Sequence, residues 1–234
     1  MPHKPVAVVV AMQSEVATLL HGRRGSMLDG VKVFVLESAV IAVGGIGRQA
    51  AHRSAEAVTR RYTPVVLVSA GIAGALTPAG KVGDVVRARD VVDAATGERF
   101  GAGGDDGSVV TASTVSGPAE KETLAQRWKA DVVDMEASAV GHVAKAHGIE
   151  FVAIKAVSDE FSFAMPPLGQ FVNDAGKFET LRFAAFLALH PKWWNAVREL
   201  NVNSRAAAVK LSEALQHLIE QRSHATSEGN IVKA

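Results

Sequence analysis

Residues 132–140 read VVDMEASAV, and two acids, Asp134 and Glu136, stand inside an otherwise apolar run. A carboxylate in such a run has two readings. It can sit in the first turn of a helix, where free N–H groups and the helix dipole favour negative charge. It can also line a cleft, where lost hydration raises its pKa into the range useful for acid–base chemistry. Two further acids occur in comparable settings. Glu15 lies just past the apolar run Val6–Val10, and Asp159 follows Phe151–Val157 with Lys155 and Ser158 beside it. Each acid alone reads as a helix-start residue. Glu15, Glu136 and Asp159 together favour a site, provided that the strands before them are parallel and adjacent.

Positioning those acids requires a definite scaffold. The β-branched run Val6–Val10 predicts a buried strand. The pattern then predicts a helix over 13–20, strands over 31–36 and 40–43, and a helix over 49–61. A strand over 65–69 ends in Ala70-Gly71-Ile72-Ala73-Gly74-Ala75, which reads either as a tight turn or as backbone that a ligand approaches closely. Next come a strand over 84–92, an exposed hairpin or loop over 94–108, and a helix opened by Pro118. A strand over 131–135, a helix over 136–147 and a strand over 151–157 follow, with helices over most of 174–223 broken at Pro191. This alternation predicts a single α/β domain over 1–223 with a central mixed, twisted sheet covered on both faces, and a polar, frayed tail over 224–234. In such sheets ligands bind at the carboxyl ends of the strands.

One glycine cluster is a decoy. Gly45-Ile46-Gly47-Arg48-Gln49-Ala50 fits a dinucleotide-binding turn, but the next strand ends Val66-Leu67-Val68-Ser69-Ala70 without the acid needed to hold a ribose. Composition narrows the field further. A net charge of +1 gives no field for nucleic acid, and zero cysteines exclude thiol catalysis, disulfides and Cys-ligated metal. The segment MPHKPVAVVVAM is too short for a signal peptide's apolar core, and no run of about 18–20 apolar residues could span a bilayer. A soluble, cytoplasmic protein without a cofactor or metal is expected.

Four blocks together resemble the superfamily of purine nucleoside phosphorylases and methylthioadenosine/adenosylhomocysteine nucleosidases: VVAMQSEV, SAGIAGALTPAGKVGDVV, VVDMEASAV and FVAIKAVSDE, in consistent order over about residues 5–160. TASTVSGPAEKETL and ALHPKWWNAVRELNVNSRAAAVKL resemble the hopanoid-associated subgroup, which acts on an adenosylated lipid. The resemblance implies a three-layer αβα fold and cleavage of a nucleoside's N-glycosidic bond. Asp159 matches the aspartate of the S-D motif that protonates the purine, beside Ser158. Glu136 matches the glutamate that grips the ribose hydroxyls, and Met135 the residue packed against the ribose. Glu15 matches the glutamate that activates water in the nucleosidases. Gly71, Ile72 and Ala73 fall in the glycine cluster of the site. The same resemblance implies a homodimer, a small-molecule partner and, if the substrate is lipid-linked, transient membrane contact.

Three departures from the family pattern stand out. Lys155 replaces a common arginine, losing its bidentate fork. Ile72 stands where a hydroxyl residue is frequent. Val115 lies near the position of the base-stacking aromatic, leaving Phe161 as the alternative contact for the base. Three functions remain open on these residues: a hydrolase acting through Glu15, a phosphorylase using Lys155 and Arg48 for phosphate, and a nucleoside-binding module without catalysis. Residues 161–177 have the composition of a covering loop. Arg182–Trp194 reads as a helix packed on the sheet or a partner, or as an apolar wall for a lipid-linked nucleoside.

Overall fold

The computed structural model describes residues 4–173 and 175–231, with side chains through Ser223. In chain order the strands and helices are β1 (Val6–Val10), β2 (Ser26–Leu28), β3 (Val31–Val35), β4 (Ala39–Val43), α1 (Arg48–Tyr62) and β5 (Val66–Ala75). They continue with β6 (Val85–Asp93), β7 (Arg99–Gly101), β8 (Gly107–Thr111), α2 (Pro118–Trp128), β9 (Val132–Asp134) and α3 (Ala137–His147). The last are β10 (Glu150–Asp159), α4 (Thr180–Leu189) and α5 (Trp194–Ile231).

The strands form one mixed sheet in the order β10-β6-β8-β9-β5-β1-β4-β3-β2, with β7 on β6. β5 also pairs with β10 in parallel, so β5, β10, β6, β8 and β9 close into a ring. β1 and β10 flank β5 in parallel, Val8 opposite Val68 and Val152 opposite Val68. The carboxyl ends of these three strands therefore lie side by side.

Period-two alternation sorts the strand side chains onto two faces. Ala7, Val9 and Leu67 join a core with α1 and α3, whereas Val8, Val68 and Ile154 join a second core with Ala207, Leu211 and Leu215 of α5. Burial on both faces explains why β1, β5 and β10 read as near-continuous apolar runs. α5 presents Ala207, Leu211 and Leu215 at four-residue spacing, one helical stripe toward the sheet.

Several expectations are corrected. Residues 13–20 hold only a short 3-10 turn, Gln13–Val16, because Glu15 is drawn into the interior by backbone N–H groups. The glycine cluster Ala70–Ala75 is not a turn but the second half of β5, held in the sheet by β10 and β9. β10 extends to Asp159, so that acid ends the strand rather than following it. α5 is helical through Ile231 and so includes the start of the tail set apart from 224, while 232–234 lie outside the described residues. Among the described residues no helix is long and apolar enough to cross a membrane.

Candidate active site

A cavity of about 220 Å³ opens at the shared carboxyl edge, and Glu15, Glu136 and Asp159 all line it. The acids arrive from different elements: Glu15 from the turn after β1, Glu136 from the junction of β9 and α3, and Asp159 from the end of β10. The acids do share one cavity, but only β1 and β10 fit the parallel arrangement expected from sequence, since β9, the strand before Glu136, pairs with β5 antiparallel.

Glu15 is 4% exposed. Its Oε2 accepts the Met12 N–H at 2.7 Å and its Oε1 accepts the Ile72 N–H at 3.1 Å. Burial pushes its pKa up, opposed by those N–H groups and by Lys155. Gly71 lies directly beneath: a Cβ there would stand 3.1 Å from Glu15 Oε1. Gly71 is thus a seat for the carboxylate.

Glu136 accepts the Gly47 N–H on Oε1 at 2.7 Å and the Met135 N–H on Oε2 at 3.2 Å. Gly47 caps the N-terminus of α1, so the glycine turn that imitates a dinucleotide site holds an anion after all, a carboxylate of its own chain. Burial, then the negative charge of Asp134, raise the Glu136 pKa from 4.5 to about 7. Asp134 is structural: it accepts the Thr111 hydroxyl at 2.7 Å and the Ala137 N–H at 2.8 Å, opening α3.

Lys155 is fully buried and does not line the cavity. Its Nζ meets Asp134 Oδ2 at 2.7 Å and donates to Ser69 Oγ at 3.1 Å. Burial pulls its pKa down, but Asp134, Glu136 and Glu15 outweigh that and hold it up. Lys155 is therefore occupied as the counterion of three carboxylates. Arg48, the other cation considered for phosphate, forks onto Asp93, with Nη2–Oδ1 at 2.8 Å, and holds Asp93 near a pKa of about 2.

Asp159 is 4% exposed and aimed by a bulge. Val157 pairs with Ala73 and Asp159 with Gly74, leaving Ser158 as the extra residue. Ser158 Oγ lies 2.8 Å from Asp159 Oδ1 and 3.3 Å from the Ala73 carbonyl, and its single proton goes to the nearer, charged acceptor. The second carboxylate oxygen, Oδ2, accepts from Lys121 Nζ, a partner that the sequence reading missed. A lysine in the run Pro118-Ala119-Glu120-Lys121-Glu122 looks like a solvated helix face, so no local signal marked it.

The remaining wall is mostly apolar. Met135, Ile72, Ala73 and Val115 line the cavity, as do Met12 and Ile46. Phe161 does not; it is half-buried outside, and Met165 and Leu168 enter from the covering segment instead. Leu200 and Ser204 of α5 complete the rim, a contribution hidden in sequence because it depends on where α5 docks. That segment is tied to the glycine turn by the Ile46 N–H donating to the Gly176 carbonyl at 2.8 Å.

Comparison with solved structures places this arrangement among known folds. The 5′-methylthioadenosine/S-adenosylhomocysteine nucleosidase of Helicobacter pylori superposes with a TM-score of 0.72 at 15% identity, covering 94% of this chain and 100% of that one. The nucleosidase of Neisseria meningitidis gives 0.71 at 18% identity, covering 93% and 99%. Futalosine hydrolase of Helicobacter pylori gives 0.70 at 15% identity, covering 93% and 98%. The sequence also matches the phosphorylase superfamily over residues 5–115 and 105–188. With that match spanning most of its length, the chain belongs to the phosphorylase superfamily.

Proposed function

We infer that this protein is an N-glycosidase that hydrolyses a purine nucleoside, adenine being the expected base, carrying a modified 5′ group. The observation that carries the choice of water over phosphate is the charge around the Glu15 end of the cavity. Glu15, Asp134 and Glu136 surround one buried cation, Lys155, which already pairs with Asp134. Arg48 is spent on Asp93. Lys155 is paired with Asp134, Lys121 with Asp159 and Arg48 with Asp93, so none of these cations is left to hold a phosphate dianion, whereas a neutral water would meet a carboxylate able to take its proton.

In this reading Glu136 accepts the ribose hydroxyls and places negative charge near the cationic sugar of the transition state. Asp159 delivers a proton to the departing base. Glu15 draws a proton from the water that attacks C1′. Met135 packs on the ribose. The 5′ group lies among apolar side chains such as Met12, Met165 and Leu200, which line the same cavity. The names of the related solved structures, methylthioadenosine/adenosylhomocysteine nucleosidases and a futalosine hydrolase, are in keeping with a 5′-modified nucleoside. A lipid-linked substrate and a homodimer belong to the same proposal, the latter checked by sedimentation.

The test is incubation with methylthioadenosine, adenosylhomocysteine and an adenosylated lipid in phosphate-free buffer. Free adenine from at least one is expected. Turnover that requires phosphate and yields ribose 1-phosphate would make the protein a phosphorylase instead. Asp159→Asn is expected to lower kcat about 100-fold or more, whereas a mere binding module would lose no substrate in either form.

A further inference from the structure

Lys121 is a buried cation in the cavity wall to which the glycosidase reading gives no task. It is 0% exposed, on the first turns of α2. Burying an ammonium is costly unless it is paired and hydrogen-bonded. Its three N–H bonds have three acceptors: Asp159 Oδ2, the Glu160 carbonyl at 2.7 Å and the Asp159 carbonyl at 3.3 Å. Gly74 provides the space. A Cβ on Gly74 would lie 2.8 Å from Asp159 Oδ2 and 2.9 Å from Lys121 Cε, so any larger residue displaces the pair. With Ser158 Oγ on the other oxygen, both oxygens of Asp159 already accept hydrogen bonds. A proton bound for the base would therefore leave through a carboxylate that an ammonium group already holds.

We propose that Lys121 is the positioning residue and proton reserve of Asp159, so that a lysine–aspartate pair, not a lone carboxyl group, protonates the leaving base. This rests on the glycosidase reading. As the C1′–N9 bond breaks, its electron pair enters the purine. Asp159 passes a proton to N7 and takes one from the Lys121 ammonium, leaving a neutral amine and a neutral purine. Water adds to C1′ and its proton goes to Glu15. Solvent then removes the proton from Glu15 and restores one to Lys121, so the balance is nucleoside plus water giving sugar plus base. The other charged groups facing the pair are Glu15, Asp134 and Glu136 across the cavity, with Lys81 on the outer side bound to the Glu160 carboxylate at 3.4 Å.

The experiment is steady-state kinetics against pH, with methylthioadenosine and adenosylhomocysteine, for wild type, Lys121→Met, Lys121→Arg and Gly74→Ala. Lys121→Met is expected to lower kcat about 100-fold with KM within about threefold. Its alkaline limb moves to lower pH and acidification restores part of the rate, because the proton must then reside on Asp159 alone. Lys121→Arg keeps the charge but cannot release a proton, so its kcat also falls while KM holds. Gly74→Ala, which keeps both groups and only displaces them, shifts kcat and the pH profile in the same direction as Lys121→Met. It decides the matter if that variant does not fold. Full activity in Lys121→Arg, or losses with an unmoved pH profile and a raised KM, would overturn the proposal and leave Lys121 a structural tie. A wild type that cleaves no purine nucleoside sinks the glycosidase reading and this proposal with it; an active wild type with unimpaired Lys121 variants sinks this proposal alone.

Discussion

Glu136 shows how burial turns a binding group into a stability term. Its pKa rises from 4.5 to about 7 in the fold, so the folded chain holds a proton there that the unfolded chain releases. The sign follows from proton linkage: this contribution is complete below about pH 4.5 and is lost as pH climbs through about 7. Glu15, also raised, acts in the same direction. Denaturation midpoints measured between pH 4.5 and 8 are expected to fall more steeply for wild type than for Glu136→Gln, which cannot ionise. The same Gln variant is expected to lose turnover, since the proposed reaction places the Glu136 carboxylate beside a cationic sugar. In the proposed hydrolysis Glu15 acts as base only when ionised, so the acid limb is expected above the ordinary carboxylate range, and Glu15→Gln is expected to abolish turnover. Glu15, Glu136 and Asp159 were legible in sequence because acids interrupt apolar runs. Lys121 was not, since its burial is imposed by Asp159, 38 positions away. Phe161 falls outside the cavity for a related reason: Met165 and Leu168 turn inward instead, in a segment tied at Gly176 to the distant glycine turn.

At the scale of elements, β5 carries the clearest lesson. Glycines weaken a strand and usually mark turns, so Ala70–Ala75 read as punctuation. The sheet overrides that preference because β10 and β9 supply its hydrogen bonds, and the missing side chains leave room for Glu15 and for Lys121 with Asp159. The bulge at Ser158 is a second device that no pattern discloses. Deleting Ser158 removes the extra residue and the hydroxyl that meets Asp159 Oδ1, while leaving Asp159 opposite Gly74; a folded protein with lowered turnover is expected, checked by circular dichroism alongside adenine release. The covering segment makes a separate prediction. Truncating Met165 or Leu168 to Ala is expected to raise KM for nucleosides with long apolar 5′ groups while leaving that for unmodified adenosine nearly unchanged.

For the whole molecule, apolar cores cover both faces of one sheet, and this much followed from the alternation of strands and helices. The closure of β5, β10, β6, β8 and β9 into a ring did not, because it depends on pairings between residues distant in sequence. Leu211 is fully buried where α5 crosses the second core, and Leu211→Ala is expected to cost about 2–5 kcal/mol in urea denaturation. α5 also carries Leu200 and Ser204 to the cavity rim, so that loss of packing is expected to raise KM as well.

Gly71 and Gly74 sit three positions apart on one strand, one beneath Glu15 and one beneath the pair of Lys121 and Asp159. At about 3.3 Å per residue the interval is roughly 10 Å of hydrogen-bonded backbone that can neither stretch nor shrink. Loops around the rim are free to drift and retune which molecules enter. That interval is not: one inserted residue between the two seats would carry them out of step and reverse one of them, and no substitution elsewhere could bring them back.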